Sequence, residues 1–479
     1  MPHLAPYRPF DQGPPELHLP GVYGASPGKP LRYRIAVSGE RPLRFSVSGL
    51  PEGVTLDAAR GILSGQVAQA GEYPLTLEVA NARGSATGGM TLRIAPDGVA
   101  RTPLMGFTTW NAFSGAVTQA DMETAAQLLV DTGLADFGYQ YVNLDSGWQG
   151  VYGGPHDAVL PNAKFPDMPG MVAKIHALGL KAGIYSTPMQ RAWGGDNLPG
   201  CTRGMLDPAY VGVFYGVGQQ HCEAGNAAQW SEWGFDYLKY DWTPCDPQNA
   251  QRMKQCLLNS PRDFAYSVTV RAGLEHAAYW REHCSSWRDN TDSTDTWENI
   301  LESKFASDIW AQHIQPGHFF DMDMLETGVI RDHQSMSFRA CRLTPDEQMT
   351  AYTMRALFPS PLVISCDLAQ LTDFDLALLC NPEVIAVNQD PLAQGAVCVY
   401  ARRQRSPSGA QRSHLRVYHR ILSGGRAVVG LFNLGAEPET VPLDISPDTP
   451  ARDLWMRQPC TERMLTIPPH GVRLIGLDG

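Results

Sequence analysis

The chain has 479 residues, 43% of them hydrophobic and 18% charged, with a net charge of −11. The length calls for two or three separate cores. The acidity, with no run of lysines or arginines, excludes nucleic acid and anionic membrane surfaces as partners, and no apolar stretch reaches the roughly 18 residues of a spanning helix.

The opening stretch "MPHLAPYRPFDQGPPELHLPG" has no basic end followed by an apolar core and does not read as a secretory signal, which leaves the cell address open. Up to about Pro96, short β-rich runs ("LRYRIAV", "LRFSVSGL", "YPLTLEVAN") alternate with Gly/Pro turns, the spacing of a small antiparallel sandwich. From Met105 to Asp390 the rhythm changes to eight strand-like runs separated by longer helical segments. The runs are "LMGFTTW", "YVNLDSG", "KAGIYST", "FDYLKYD", "FAYSVTV", "SSWRDNTD", "HFFDMDML" and "PLVISCDL". The connector "TQADMETAAQLLVDTGL" opens on a Thr118/Asp121 cap signal and ends near Gly133. Strand and helix alternating eight times predicts an α/β fold, a (β/α)8 barrel. A doubly wound open sheet is the runner-up, but no Gly-rich phosphate loop follows the first strand. After Asp390 short strands return ("LRVYHRIL", "RAVVGLFNLG", "RLIGL"). The expected division is 1–98, an immunoglobulin-like β-sandwich; 99–391, the catalytic barrel; and 392–479, an antiparallel β-sandwich.

Barrel enzymes carry their chemistry at the carboxyl ends of the strands. Here those ends supply Trp110, Asp145 and Ser146, Tyr185, Lys239 and Asp241, Arg288 and Asp292, Asp321 and Asp323, and Asp367. A single aspartate after a strand is commonly the cap of the next helix, but seven strand ends sharing the habit strain that explanation. Lys239 and Asp241 stand two apart in a strand and project from one face, so the ammonium is expected to hold the carboxylate ionised. Carboxylates, cations and aromatics around one pocket suit a neutral polyhydroxyl ligand, a carbohydrate. Two of the carboxylates could do the acid/base and nucleophilic work of glycoside hydrolysis.

Three other signals weigh less. "GASPG", Gly24 to Gly28, matches a hydrolase nucleophile elbow but lacks the strand–turn–helix context. His318 and His333 flank the seventh-strand acids but lack metal-ligand spacing and read as structural. The ten cysteines contain no C-x-x-C pair, and their disulfide pattern stays open.

The ordered set "PLMGFTTWNAF", "YVNLDSGWQG", "GIYSTP", "DYLKYDW", "WRDNTDSTDTW", "GHFFDMDMLETG", "SPLVISCDL" and "EVIAVNQDPL" resembles family 27 glycoside hydrolases, the α-galactosidase-like enzymes, from Thr102 onward. The N-terminal module looks like the immunoglobulin-like domain that precedes some bacterial members. The resemblance implies Asp241 as nucleophile and Asp292 as acid/base. It also implies Trp110, Asp145, Ser146, Tyr185, Lys239, Arg288 and Asp323 as substrate-binding residues, and no metal or organic cofactor. The implied activity is removal of terminal α-linked galactose with retention.

The chain departs from the family at Ser146, where a second aspartate usually follows the first, at Phe107, and in the strand-five segment with Thr269, Val270 and Arg271. Galactosides are therefore expected either to be poor substrates or to be met by another group, Arg271 first, and Ser146→Asp is expected to raise activity on them. The rival readings are an isomaltodextranase-like α-glucanase, a β-L-arabinopyranosidase, and a catalytically silent sugar-binding protein. Oligomeric state is left open.

Overall fold

Eight parallel strands occupy the centre of the computed structural model, which describes residues 4, 13–332, 337–405, 411–446 and 448–477. They are β1 (Met105–Thr108), β2 (Tyr141–Leu144), β3 (Lys181–Ser186), β4 (Tyr237–Asp241), β5 (Ala265–Thr269), β6 (Ser286–Trp287), β7 (Phe319–Phe320) and β8 (Leu362–Ile364). Their order is β7-β6-β5-β4-β3-β2-β1-β8. Just past β7, Leu325 pairs parallel with Ile364 and its N–H donates to the Val363 carbonyl at 2.8 Å, which brings the two ends of the sheet together. The architecture is thus the expected (β/α)8 barrel.

Strands β6 and β7 are much shorter than their sequence runs. Beyond Phe320 the Asp323 N–H bonds the Asp321 carboxylate at 2.7 Å and Asp323 turns to a φ of 68°, which ends strand pairing and releases the acidic residues into a loop. The helix Gln119–Asp131 starts on a capping box between Thr118 and Asp121 and is followed by Gly133 at a φ of 82°. Among the described residues no helix is long and apolar enough to cross a membrane, and all ten cysteines are free thiols.

At the C-terminal end, a six-stranded sheet built on Gln411–Ile421, Ala427–Asn433 and Val472–Leu477 faces the barrel. Its Tyr418, Phe432 and Leu474 join the barrel's own core, whereas Leu431, Leu465, Ile467 and Ile475 form a second cluster against the strands Glu439–Pro442 and Met464–Ile467. The helix Pro345–Leu357 lies between barrel and sheet, and every residue from Glu347 to Leu357 is buried. That explains why its sequence shows no polar stripe.

The N-terminal module has two main sheets, one of Val22–Ala25, Arg44–Ser48, Gly71–Asn81 and Gly84–Ile94 and one of Pro30–Arg34, Val54–Asp57 and Ile62–Gln66, with a short pair of Glu16–Leu17 and Val37–Ser38, around a core including Leu63, Leu77, Val79 and Ile94. It docks on the amino-terminal face of the barrel. Ser26 N–H donates to Asp263 Oδ2 at 2.7 Å, Arg60 donates to the Ala177 carbonyl at 2.8 Å, and Gln140 Nε2 donates to the Arg34 carbonyl at 2.6 Å. These barrel residues precede β5, β3 and β2, so the module lies on the side away from the strand ends that bear the acids. The "GASPG" string is therefore a strand end running into an interface turn.

At the centre of that interface Asp136, almost wholly buried, accepts from both Arg34 and Arg41. Asp136→Ala should destabilise the folded chain by about 2 kcal/mol, the cost of a broken buried pair reduced because Arg41 is partly solvated. Thermal unfolding measures this, and activity per folded molecule should not change.

Candidate active site

Strand β4 builds one wall by simple alternation. Leu238 and Tyr240 point outward into the core, while Tyr237, Lys239 and Asp241 face the barrel interior. Register then decides who meets whom. Leu144 pairs with Ile184 and Tyr185 with Lys239, so Asp145, one step past β2, falls in the layer of Tyr185 and Lys239. Lys239 Nζ donates to Asp145 Oδ2 at 2.8 Å and lies 5.5 Å from the Tyr185 ring centre. Asp145 Oδ1 accepts the Ser146 N–H at 2.8 Å, and the Asp145 N–H donates to Thr109 Oγ1 at 3.0 Å.

Asp241 stands one layer nearer the mouth, where Tyr185 Oη donates to its Oδ2 at 3.0 Å. Its carboxyl is pushed up to about 6 by burial, with the charges of Asp292 and Asp145 acting in the same direction. Lys239 and Arg288 oppose the rise without cancelling it. This corrects the expectation that Lys239 keeps Asp241 fully ionised: the ammonium's hydrogen bond goes to Asp145, and desolvation prevails. Burial also disfavours the Lys239 charge, but Asp145 and Asp241 outweigh it and hold its pKa above the ordinary lysine value.

Two strands round the barrel from β4, the next wall rests on Arg288, 2% exposed, which follows β6. Its guanidinium donates to Asp323 and, at 2.8 Å, to Asp292 Oδ1. Asp323 also accepts the Ser293 N–H at 2.7 Å. Burial works against the charge of Asp323, but Arg288, Lys304 and Lys239 hold its pKa well below the usual carboxylate range. The Asp292 side chain is 76% exposed, at the mouth.

Behind this wall sits Lys304, which sequence reasoning missed. Wholly buried, it donates to Ser293 Oγ at 2.6 Å and to the Met322 carbonyl, and pairs with Glu326 at 3.1 Å. Burial lowers it to about 8. The available signal was a lysine one turn after Ile300 on a helix's apolar side. Asp295, held by Arg339 and Arg342, anchors the far end of the same loop.

Beneath these groups a hollow of about 30 Å³ is lined by Thr108, Asn143, Asp145, Lys239, Thr269, Asp321 and Asp323. It is far too small for a pyranose, so a sugar would sit above it, between Asp241 and Asp292.

One expected placement changes. Ser146 is fully buried and its hydroxyl donates to the Trp193 carbonyl, so it faces a loop and not an open pocket. Trp110 is half-buried with Gly194 packed against its ring. Arg271 is exposed at a φ of 60°. Asp367 is a cap, accepting from the Ala369 N–H at 3.0 Å. His318 Nδ1 bonds the Cys284 carbonyl at 2.8 Å, while His333 lies outside the described residues. Among those residues no group of three or more His, Cys, Asp or Glu is placed to hold a metal ion.

If Asp241 must be ionised to react, kcat/KM should fall tenfold per pH unit below about pH 6, with the limb belonging to the carboxylate cluster as a whole. Tyr185→Phe removes a hydrogen bond to the charged form and should move that limb up by about one pH unit. A pH–rate profile of both proteins checks the sign.

A barrel carrying paired aspartates, a buried arginine and a lysine at its carboxyl-terminal mouth is the build of a glycoside hydrolase. The family model for "Alpha galactosidase A" matches residues 102–390, its C-terminal β-sandwich model matches 413–477, and an Ig-domain model matches 14–95. The chain belongs to this α-galactosidase family, glycoside hydrolase family 27. It is 30% identical to α-galactosidase 3 of Arabidopsis thaliana over 385 residues, 76% of this chain and 78% of that protein. A Bacteroides fragilis structure described as a "putative alpha-galactosidase/melibiase" superposes with a TM-score of 0.85 at 25% identity, covering 98% of this chain and 99% of its own. α-Galactosidase I of Mortierella vinacea matches at 0.65 and 25% identity, covering 80% and 98%.

Proposed function

We propose that this enzyme removes terminal α-linked galactose from oligo- or polysaccharides by double displacement. The observation that carries the reading is the clasp of Arg288 on Asp292 and Asp323, two strands round the barrel from Asp241, whose proton affinity the Asp292 charge itself raises. Two carboxyl groups close enough to feel one another, one buried and one at the mouth, suit a nucleophile and an acid/base. Asp241 attacks the anomeric carbon while Asp292 protonates the leaving oxygen. Water, deprotonated by Asp292, then cleaves the glycosyl-enzyme. Asp145, Lys239, Tyr185 and Asp323 present acceptors and donors to sugar hydroxyls, and Trp110 presents an apolar ring.

The test is a panel of p-nitrophenyl α-galactoside, α-glucoside, α-N-acetylgalactosaminide and β-L-arabinopyranoside, with the product anomer followed by proton NMR. The α-galactoside should turn over fastest and release α-galactose first. A preference for another glycone overturns the substrate assignment, and β-galactose as first product overturns double displacement.

A further inference from the structure

The excursion between β3 and β4 carries an aromatic cluster that the catalytic scheme does not use. The Trp193 ring centre lies 4.8 Å from that of Phe214 and 4.8 Å from that of Tyr215, and Phe214 meets Tyr215 edge-on at 4.9 Å. Such a cluster would ordinarily be covered, yet Phe214 is 63% exposed and neighbouring Val211 89%.

Its attachments place it at the rim of the active site. The Trp193 carbonyl accepts the Ser146 hydroxyl, and Ser146 follows Asp145 at the end of β2. Gly194 approaches Trp110 so closely that a Cβ there would lie 2.8 Å from the ring, and its φ of 90° suits only glycine. On the other side the Phe214 N–H donates to the Thr243 carbonyl at 3.2 Å. Thr243 is two residues beyond Asp241, a reach of at most about 7 Å. The cluster is thus tied to the ends of β1, β2 and β4, while Asp292 enters the same mouth from the β6 side.

We propose that Trp193, Phe214 and Tyr215 form a stacking platform for the first sugar ring on the leaving-group side of the scissile bond, and that the substrates are oligosaccharides with a pyranose at that position. The apolar face of a pyranose matches an aromatic surface, and rings held by one another and by three strand ends lose little freedom on binding. This rests on the glycosidase reading above.

The test compares kcat/KM for an oligosaccharide with kcat/KM for the corresponding glycosyl fluoride, whose leaving group is a single atom. Matched pairs are prepared for α-galactose, α-glucose and β-L-arabinopyranose, and the comparison is made on whichever pair the unmodified enzyme turns over. Phe214→Ala should lower the ratio of oligosaccharide to fluoride about tenfold, with Phe214→Trp restoring it. An unchanged ratio overturns the platform. So does a loss of oligomeric state in Phe214→Ala by light scattering, which would make the patch a contact between copies. Turnover of a pair other than galactose overturns the galactose assignment while the ratio still judges the platform, and turnover of none overturns both.

Discussion

Asp241→Asn should abolish turnover of every glycoside, by at least about five orders of magnitude, whereas the loss in Asp292→Asn should depend on the leaving group. An amide at position 241 cannot form the glycosyl-enzyme, so no substrate escapes the effect, and removal of a covalent nucleophile costs on this scale in other enzymes. At position 292 the first step still proceeds when the departing group needs no proton. Asp292→Asn should therefore burst on an activated aryl glycoside, then stall with glycosyl-enzyme accumulated, because the base for the second step is gone. On an unactivated oligosaccharide it should be slow from the start. The structure bears on the contrast: Asp241 is buried and bonded to Tyr185, while Asp292 is exposed and bonded through one oxygen to Arg288. Equal losses on activated and unactivated substrates for Asp292→Asn would remove it from the acid/base role. Appreciable turnover by Asp241→Asn would remove double displacement.

Much of this site was legible because strands impose a period of two. Reading "YLKYD" as a strand puts Lys239 and Asp241 on one face, and the structure keeps them there. The partner of each was not legible, since it depends on register between strands distant in sequence. Tyr185 is paired with Lys239 and not with Asp241, so the ammonium lies in the layer of Asp145, and the hydroxyl of Tyr185 is left to reach up to Asp241. The extent of the barrel was readable from its eight runs, but the end of β7 was not, because Met322 and Met324 alternate with Asp321 and Asp323 as a strand would after pairing has stopped at Phe320. Trp193 was invisible for another reason. It sits in "RAWGGDNLPG", a glycine-rich stretch with no period to read, and its importance comes from which strand ends its backbone touches.

That loop reverses the sign of the Ser146 expectation. Read against the family pattern alone, Ser146→Asp restores an acceptor for galactose hydroxyls and raises activity. In the structure the Ser146 hydroxyl is a donor to the Trp193 carbonyl, accepts weakly from Gln149 Nε2 at 3.4 Å, and has no exposed surface. A carboxylate has no proton to give that carbonyl and would set a buried negative charge against its lone pairs, with Asp145 already adjacent in the chain. Burying such a charge without a partner costs several kcal/mol, so the loop must leave. Its departure would break the contacts of Trp193 with Phe214 and Tyr215 and free the Gly194 backbone from the Trp110 ring. We therefore expect Ser146→Asp to lower kcat/KM on p-nitrophenyl α-galactoside at least about a hundredfold. Ser146→Ala, which forfeits one hydrogen bond and leaves the carbonyl unmatched, should cost only about tenfold. A rise in galactoside activity with Ser146→Asp would mean that the Trp193 loop yields readily and that the family's two-carboxylate arrangement can be rebuilt in this pocket; a fall shows that serine and loop form one wall.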